Sequence, residues 1–434
     1  MTVLNQIVRE EVSASVRRPR VLLSAYQCAP GLGSVSQIGW EWYRRLSRRT
    51  PVTLVTHVRN RAHLEAAGAP FENSEIIYID TEWFAGPLYR LATRLFPKSQ
   101  HAVFLLSSLD FYVYDRAAVA EVRRRRSHGA DWDLVHAVTP VSPVASTRLH
   151  RLGLPLIVGP WNGGLRSPAC FPEIMKQDSA WLYPIRNAGR ILDFLLGGSR
   201  RAAAILTATH ATTESLPSRA RRRCIPMLEN GVDLDLFRPK SWPDAPSGDR
   251  PLKVLFVGRL LPFKGVPMLL EAVAQFRRES AVEVRVIGEG PMKSEWTQLA
   301  KGLGISDIVT FCGPAPLAAI SDHMAWAHVF CLPSVRESGG AVLLEAMAAA
   351  RPSIAIGYGG PAELIDDEIG SALPPAGKHA VMCGFIEAFR DIVRRPELWR
   401  KRGLEARRRA ESLYSWESKI DSALSIYNHL PEAM

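Results

Sequence analysis

Short apolar runs alternate with helical patterns along most of this 434-residue sequence. A first series of runs begins with RVLLSA at residues 20–25 and ends with AAILTAT at residues 203–209. Within it, a helix is predicted at residues 141–151 and helical material at residues 173–201. A second series begins with KVLFVG at residues 253–258 and ends with PSIAIG at residues 352–357. Strands that alternate with helices predict a parallel sheet covered on both faces. The two series therefore predict an α/β fold with two Rossmann-like, doubly wound domains that face one cleft.

A polar segment with three prolines, KSWPDAPSGDRP at residues 240–251, predicts the boundary between these domains. We expect a flexible tail at residues 1–18, an N-terminal domain at 19–238, a linker at 239–251 and a C-terminal domain at 252–414.

The composition is that of a globular protein, with 47% hydrophobic and 22% charged residues. The net charge of +11 predicts either a solvated basic surface or attraction to an anionic ligand, membrane leaflet or nucleic acid. Six cysteines without a CxxC pair predict buried free thiols in a reducing compartment, and no metal site. No secretory signal is evident, and no run approaches the ~18 apolar residues of a membrane span. We expect a cytoplasmic protein, with peripheral membrane association as a further option.

The stretch 82–127 is rich in aromatic and leucine residues and interrupts the alternation. It predicts one or two helices that face the core. The alternative is a pair of surface helices that enter a membrane, with Arg123–Arg126 near the lipid headgroups.

The segment VGRLLPFKG follows the first strand of the second series. It places Arg259 and Lys264, with Gly258, at the strand end, which is where open parallel sheets bind ligands. Two cations there would neutralise a diphosphate and stabilise it as a leaving group. An ordinary surface arginine and lysine are the alternative.

The segment SVRESGGAVLLEAM, residues 334–347, joins an apolar strand to a helix. Gly339 and Gly340 would let a ligand approach the main chain, and the helix N-terminus would face phosphate. Glu337 lies in the loop before the helix. Glu345 lies within the helix, where it would accept hydrogen bonds from sugar hydroxyls.

Several motifs occur together in a specific order. The series closely resembles the retaining glycosyltransferases of GT-B architecture, family 4 (glycosyl transferases group 1), most strongly from Leu228 to Gly370. The loops YQCAPGLGSVSQIGW and GPWNGG are similar to those of a bacterial subgroup with GSxxxxGW and GPxxGG patterns. The motifs that carry the resemblance are NGVD (230–233), VGRLLPFKG (257–265), VIGEGP (286–291), FCGP (311–314), two glutamates eight positions apart, and GGPAELI (359–365).

The resemblance implies roles for individual residues. Arg259 and Lys264 would hold the diphosphate of a nucleotide-sugar, Glu337 would contact the donor sugar, and Glu345 would bind the ribose. The glycines implied in donor binding are Gly31 and Gly33 from the N-terminal domain and Gly258, Gly339 and Gly340 from the C-terminal domain. Residues 415–434 would cross back and pack on the N-terminal domain.

The implied reaction is transfer of a hexosyl group from a nucleotide-diphosphate sugar to a hydroxyl, with the anomeric configuration retained. The resemblance implies no cofactor and no metal. Together with the basic charge and the aromatic stretch 82–127, it predicts a lipid-linked or saccharide acceptor in bacterial exopolysaccharide, lipopolysaccharide or glycolipid synthesis. The arginine runs lack interleaved aromatic residues, so no nucleic acid partner is expected. An epimerase or phosphorylase of the same fold, or a basic binding protein without catalysis, are alternatives.

The sequence departs from the family pattern on the acceptor side. Many members carry a histidine where this chain has Trp161 and Asn162, so Asn162 is a candidate acceptor-side residue. His136, at the end of a neighbouring strand, is a second candidate, although most such histidines are core residues. Two DxD strings, at residues 131–133 and 233–235, are predicted to be turns and caps rather than metal sites.

Overall fold

Two parallel sheets form the centre of the protein in the computed structural model, which describes residues 18–95, 109–165, 168–177, 193 and 196–430. The first sheet has seven strands in the order β3-β2-β1-β4-β5-β6-β7. Its strands are β1 (Val21–Ala25), β2 (Val52–His57), β3 (Ser74–Ile79), β4 (Leu134–Thr139), β5 (Leu156–Trp161), β6 (Ala204–Thr207) and β7 (Cys224–Pro226).

The second sheet has six strands in the order β10-β9-β8-β11-β12-β13. Its strands are β8 (Leu252–Val257), β9 (Val282–Ile287), β10 (Val309–Gly313), β11 (Val329–Leu332), β12 (Ser353–Ile356) and β13 (Gly370–Leu373). The strand order changes direction between β1 and β4 in the first sheet and between β8 and β11 in the second. At such a point a doubly wound sheet has a crevice at the carboxyl ends of its strands.

Helices occupy the connections between the strands. Those of the first half are α1 (Ser34–Leu46), α2 (Arg61–Ala66), α3 (Glu82–Leu95), α4 (Asp110–Ser127), α5 (Pro172–Gln177), α6 (Gly198–Arg201), α7 (His210–Ser215) and α8 (Ser218–Arg221). Those of the second half are α9 (Val266–Phe276), α10 (Lys293–Gly302), α11 (Leu317–Trp326), α12 (Ala341–Ala348), α13 (Gly360–Leu364), α14 (Lys378–Arg394), α15 (Pro396–Arg409) and α16 (Trp416–Asn428).

Strand β1 shows why the strands are apolar throughout. Val21 and Leu23 point into one buried cluster, whereas Leu22 points into another on the opposite face of the sheet. Successive side chains of a strand alternate between faces, so a sheet covered on both sides needs continuous apolar runs. This layering confirms the predicted pair of Rossmann-like domains.

The last helix, α16, crosses back to the first sheet. Its side chains Trp416, Ile420 and Tyr427 belong to the same buried cluster as Val21 and Leu23. Where the chain crosses, just before α16, its backbone forms hydrogen bonds with the turn at Val232. The Val232 N–H donates to the Tyr414 carbonyl over 2.9 Å, and the Trp416 N–H donates to the Val232 carbonyl over 3.2 Å.

The structure differs from the sequence-based expectation at one helix. A helix was expected at residues 141–151, but only the 3₁₀ turn Leu149–Leu152 forms there. Pro143 contributes to the difference, because proline disfavours the helical conformation of the residue before it, which is Ser142 here. Strands β7 and β13 were not predicted. The expected tail lies outside the described residues up to position 17, as does most of the helical material expected at 173–201.

The segment 240–251 contains no helix or strand, and hydrogen bonds attach it to the second domain. The buried guanidinium of Arg351 donates to the carbonyls of Lys240 and Ser241 over 3.2 and 3.1 Å. The Trp242 indole N–H donates to the His328 carbonyl over 3.1 Å. Among the described helices, none is long and apolar enough to cross a membrane.

Candidate active site

A cavity of about 510 Å³ lies between the carboxyl ends of the two sheets. The first domain contributes Val141 and the loop from Asn162 to Leu165, which directly follows β5. The second domain contributes the loop after β8 and the loop after β11. The residues from these two loops are Arg259, Leu261, Phe263, Lys264, Arg336, Glu337 and Ser338. Residues of both domains therefore line the cavity, as is required in a site that binds two substrates.

Lys264 and Glu337 form an ion pair in this cavity. The Lys264 ammonium donates to the Glu337 carboxylate, and the two side chains are only 14% and 17% exposed. Lys264 ends a 3₁₀ turn that is capped by Gly265 at φ 63°. A Cβ on Gly265 would lie 2.2 Å from the Pro333 carbonyl oxygen, so this turn fits against the end of β11 only without a side chain. That close approach places Lys264 beside the loop that carries Glu337.

Arg259 extends the positive charge of the cavity. Its side chain is exposed, and no described residue forms an ion pair or hydrogen bond with its guanidinium. Among the described residues, the cavity is thus lined by three cationic side chains, those of Arg259, Lys264 and Arg336, and by one carboxylate, that of Glu337. Such an excess of positive charge in a partly enclosed site favours an anionic ligand such as a diphosphate.

Helix α12 begins at the edge of the cavity. Gly340 is its N-cap residue and has a left-handed conformation, φ 57°, which favours glycine. The two glycines Gly359 and Gly360 brace the preceding loop. The Gly360 N–H donates to the Glu337 carbonyl over 3.0 Å, and a Cβ on Gly359 would lie 2.3 Å from the same oxygen. Their supporting role was not assigned from the sequence, although both lie in a recognised motif.

Glu345 lies within α12, and no described side chain forms a hydrogen bond with its carboxyl group. Burial raises the pKa of Glu345 to about 8. A carboxyl group in this environment retains its proton near neutral pH unless a ligand supplies hydrogen-bond donors. Among the residues predicted for donor binding, Glu345, Gly33, Gly258, Gly339 and Gly340 do not line the cavity.

The buried carboxyl group of Glu229 lies behind the cavity wall and binds Asn162, which lines the cavity. Its Oε1 accepts hydrogen bonds from the Asn162 side-chain amide over 2.5 Å and from the Asn230 amide over 3.1 Å. Glu229 is only 4% exposed, and burial raises its pKa. Gly339 of the second domain lies directly against it, since a Cβ there would be 1.8 Å from Oε1. Glu229 therefore connects the loop that carries Asn162 with the loop before α12.

Comparison with known proteins finds a similarity for the second domain. Residues 238–405 match the family model of glycosyl transferases group 1. The second domain is therefore similar to glycosyl transferases group 1, and it is called the group 1 domain below for that similarity. It is 34% identical to the D-inositol 3-phosphate glycosyltransferase of Geodermatophilus obscurus over 223 residues, which is 47% of each chain. The chain spans about half the length of most of the curated relatives that it matches.

Solved structures match the complete fold. Sucrose-phosphate synthase from Thermosynechococcus elongatus superposes with a TM-score of 0.61 and 19% identity, covering 95% of this chain and 99% of that one. Anabaena Alr3699/HepE in complex with UDP superposes with a TM-score of 0.61 and 17% identity, covering 94% and 99%. These matches confirm the GT-B architecture, in which the group 1 domain faces a second Rossmann-like domain across the cleft.

The structure places His136 away from the cleft of this glycosyltransferase fold. The imidazole is fully buried, with Nδ1 2.7 Å from the Tyr427 hydroxyl and Nε2 2.8 Å from the Gly159 carbonyl oxygen. Both ring nitrogens thus have protein partners, and burial lowers the pKa of His136 to about 4. His136 is a core residue that holds α16 on the first sheet, so its proposed acceptor-side role does not fit. Asn162, by contrast, lines the cavity.

The two DxD strings make structural contacts. Asp133 and Asp131 accept hydrogen bonds from Arg20. Asp233 accepts from the Arg45 guanidinium over 2.8 Å and from the backbone N–H of Asp235 over 3.0 Å. Within the described ranges, no group of three or more histidine, cysteine, aspartate or glutamate side chains has an arrangement suited to a metal ion.

Proposed function

We propose that this protein is a retaining glycosyltransferase that moves a hexosyl group from a nucleotide-diphosphate sugar to a hydroxyl acceptor. The observation that carries the proposal is the cavity in which Arg259, Lys264 and Glu337 of the group 1 domain face Asn162 of the other domain. The group 1 domain would bind the donor, and the loop from Asn162 to Leu165 would border the acceptor.

The proposed chemistry depends on charge. Arg259 and Lys264 would neutralise the diphosphate, whose negative charge increases as the bond to the anomeric carbon breaks. These cations would take the part that a metal ion has in other transferases, so we propose a reaction without metal or cofactor. Glu337, held by Lys264, would contact the donor sugar beside the anomeric carbon. Retention by attack on the same face, with the leaving phosphate accepting the proton, needs no protein nucleophile.

Uridine diphosphate sugars are the first donors to test, because the Anabaena protein of the same fold is described in complex with UDP. For the acceptor we propose a saccharide or a lipid-linked hydroxyl in bacterial polysaccharide or glycolipid synthesis. Inositol phosphates deserve inclusion, since the Geodermatophilus relative is named for such a substrate. A cytoplasmic location at the inner face of the membrane would suit a lipid-linked acceptor.

The test uses Lys264→Met and Glu337→Gln in the full chain, with transfer from a panel of nucleotide-sugars as the readout. We expect each variant to lower kcat/KM by about 100-fold or more, which corresponds to about 3 kcal/mol of transition-state stabilisation. Lys293→Met and Glu289→Gln are matched controls, because they break an exposed ion pair of the same domain that lies outside the cavity. Full activity in both cavity variants would refute the proposal, and formation of a different nucleotide-sugar from the donor without any acceptor would indicate an epimerase.

A further inference from the structure

One segment of the first domain is buried in the second. Residues 168–177 follow β5 of the first sheet and include the short helix α5. Phe171 in this segment is only 3% exposed, and it belongs to the buried cluster that contains the strands of the second sheet. Ile174, in the first turn of α5, packs against the same cluster. The first domain is therefore anchored in the core of the second through this segment.

The anchored segment meets the turn that carries Lys264. Cα atoms of α5 lie within 8 Å of those of the 3₁₀ turn Pro262–Lys264. The second domain supports the same turn from its own loop, because the Val335 N–H donates to the Phe263 carbonyl over 2.9 Å. Support for this turn thus comes from both domains.

The position of this turn determines where the positive charge of the cavity lies. The Lys264 ammonium is 5.6 Å from the centroid of the Phe263 ring, and the Arg336 guanidinium is 5.0 Å from it. Cations are attracted to an aromatic face at such distances. All three residues line the cavity. A shift of the turn would therefore move two cations relative to a bound anion.

The chain just before the segment also contacts the second domain. Leu165 ends the cavity loop that begins at Asn162, and a Cβ on Gly359 would lie only 2.7 Å from Leu165 Cδ2. Further along, the Cys170 carbonyl oxygen is 3.8 Å from the Cβ position of Gly377. A short piece of chain thus connects the cavity loop of the first domain with the turn of the second.

We propose that Phe171 is a positioning residue for the transfer reaction. Its side chain, fixed in the core of the second domain, holds α5 against the turn of Lys264 and so keeps the ammonium group at the diphosphate of the donor. A protein core is closely packed, so a side chain buried in it resists displacement of its backbone. Misplacing a catalytic group by about 1 Å can cost about 100-fold in rate. The inference rests on the proposed function, because that function assigns Lys264 to a diphosphate.

The test measures binding of UDP, GDP and ADP to the full chain by titration calorimetry, together with kcat/KM for transfer. We expect Phe171→Ala and Ile174→Ala to weaken binding of the preferred diphosphate severalfold and to lower kcat/KM about 10-fold. Phe171→Leu keeps an apolar anchor and should recover most of both. The matched control is Phe276→Ala, because Phe276 is 1% exposed in the same cluster, contacts Phe389 and lies outside the cavity. It should lower the melting temperature and leave the affinity unchanged.

A double variant shows whether Phe171 acts through Lys264. Two residues that act through one interaction have non-additive effects, so adding Phe171→Ala to Lys264→Met should change the affinity little. An equal loss of affinity with and without Lys264 would overturn the proposal. All affinities are measured well below the melting temperature of each variant. If Phe171→Ala does not fold, Ile174→Ala decides, because Ile174 is only half-buried.

The failure of this inference differs from the failure of the proposed function. If Lys264→Met weakens diphosphate binding but the folded Phe171 and Ile174 variants bind like the wild type, only the positioning role is refuted. If the wild type binds none of the three diphosphates, the proposed function is refuted and the positioning role with it.

Discussion

Gly339→Ala is the substitution whose effect follows most directly from the structure. The added Cβ would lie 1.8 Å from Oε1 of Glu229, whereas real contacts of this kind are not closer than 3.0 Å. The two atoms must therefore separate by about 1.2 Å. Gly339 does not have a left-handed φ, so alanine meets no backbone strain there. Any effect of the substitution comes from the contact between the two domains.

The magnitude follows from what holds Glu229 in place. Its carboxyl group accepts from Asn162 over 2.5 Å and from Asn230 over 3.1 Å, and it is almost completely buried. A retreat of the carboxyl group breaks or distorts both bonds, and each buried polar group left without a partner costs about 1–3 kcal/mol. We expect the free energy of unfolding to fall by about 2–4 kcal/mol, and the Asn162 loop to lose its fixed position.

The assay compares thermal unfolding and kcat/KM of the wild type and Gly339→Ala. Gly302→Ala is the control, because a Cβ at Gly302 meets nothing within 4 Å and that residue also lacks a left-handed φ. In the double variant Gly339→Ala with Glu229→Ser the steric conflict is absent, so it should melt above Gly339→Ala alone. If Gly339→Ala unfolds and reacts like the wild type, the reasoning from this contact is refuted.

Two further predictions concern titratable groups that are buried. His136→Ala removes the partner of the Tyr427 hydroxyl from the core and should lower the free energy of unfolding by about 2–4 kcal/mol, while the rate per folded molecule stays the same. Exposed His63→Ala is the control for unfolding, and a selective loss of kcat would contradict a purely structural role. The pKa of Glu345 is raised from 4.5 to about 8, so the folded chain retains a proton that the unfolded chain has lost. The contribution of Glu345 to stability should therefore fall as the pH rises from 4.5 to 8. Relative to Glu345→Gln, the wild type should lose stability over this range in urea unfolding, and a pH-independent difference between the two proteins would contradict the burial of this carboxyl group.

The strands could be predicted because a parallel sheet needs apolar side chains on both faces. Val21, Leu22 and Leu23 are an example, since all three are buried although they point to different clusters. Strand β13 was missed because GSAL is short and three of its four residues are small or polar. The helix expected after β4 was wrong, and Pro143 contributes because it restricts the backbone of Ser142, a local effect that the apolar pattern does not reveal.

The candidate site was predictable in part. Arg259, Lys264 and Glu337 could be found because each lies at a strand end within a recognisable motif, and the structure places all three in one cavity. The contact between Lys264 and Glu337 joins residues 73 positions apart, so no local pattern shows it. Glu229 was missed for the same reason. Its partner Asn162 is 67 positions away, and its neighbour Gly339 belongs to the other domain.

Val232 and Ser415 form a bridge between two backbone segments. The chain therefore passes between the domains twice, and the two passages lie side by side. The exposed segment around Asp249 lies between these passages in sequence. A protease cut there would yield two fragments, of which the second contains both the six-stranded sheet and α16. Because Trp416, Ile420 and Tyr427 remain embedded in the first sheet's core, the fragments should stay together without a covalent link. We therefore expect that the two fragments, produced separately, reassemble by fragment complementation.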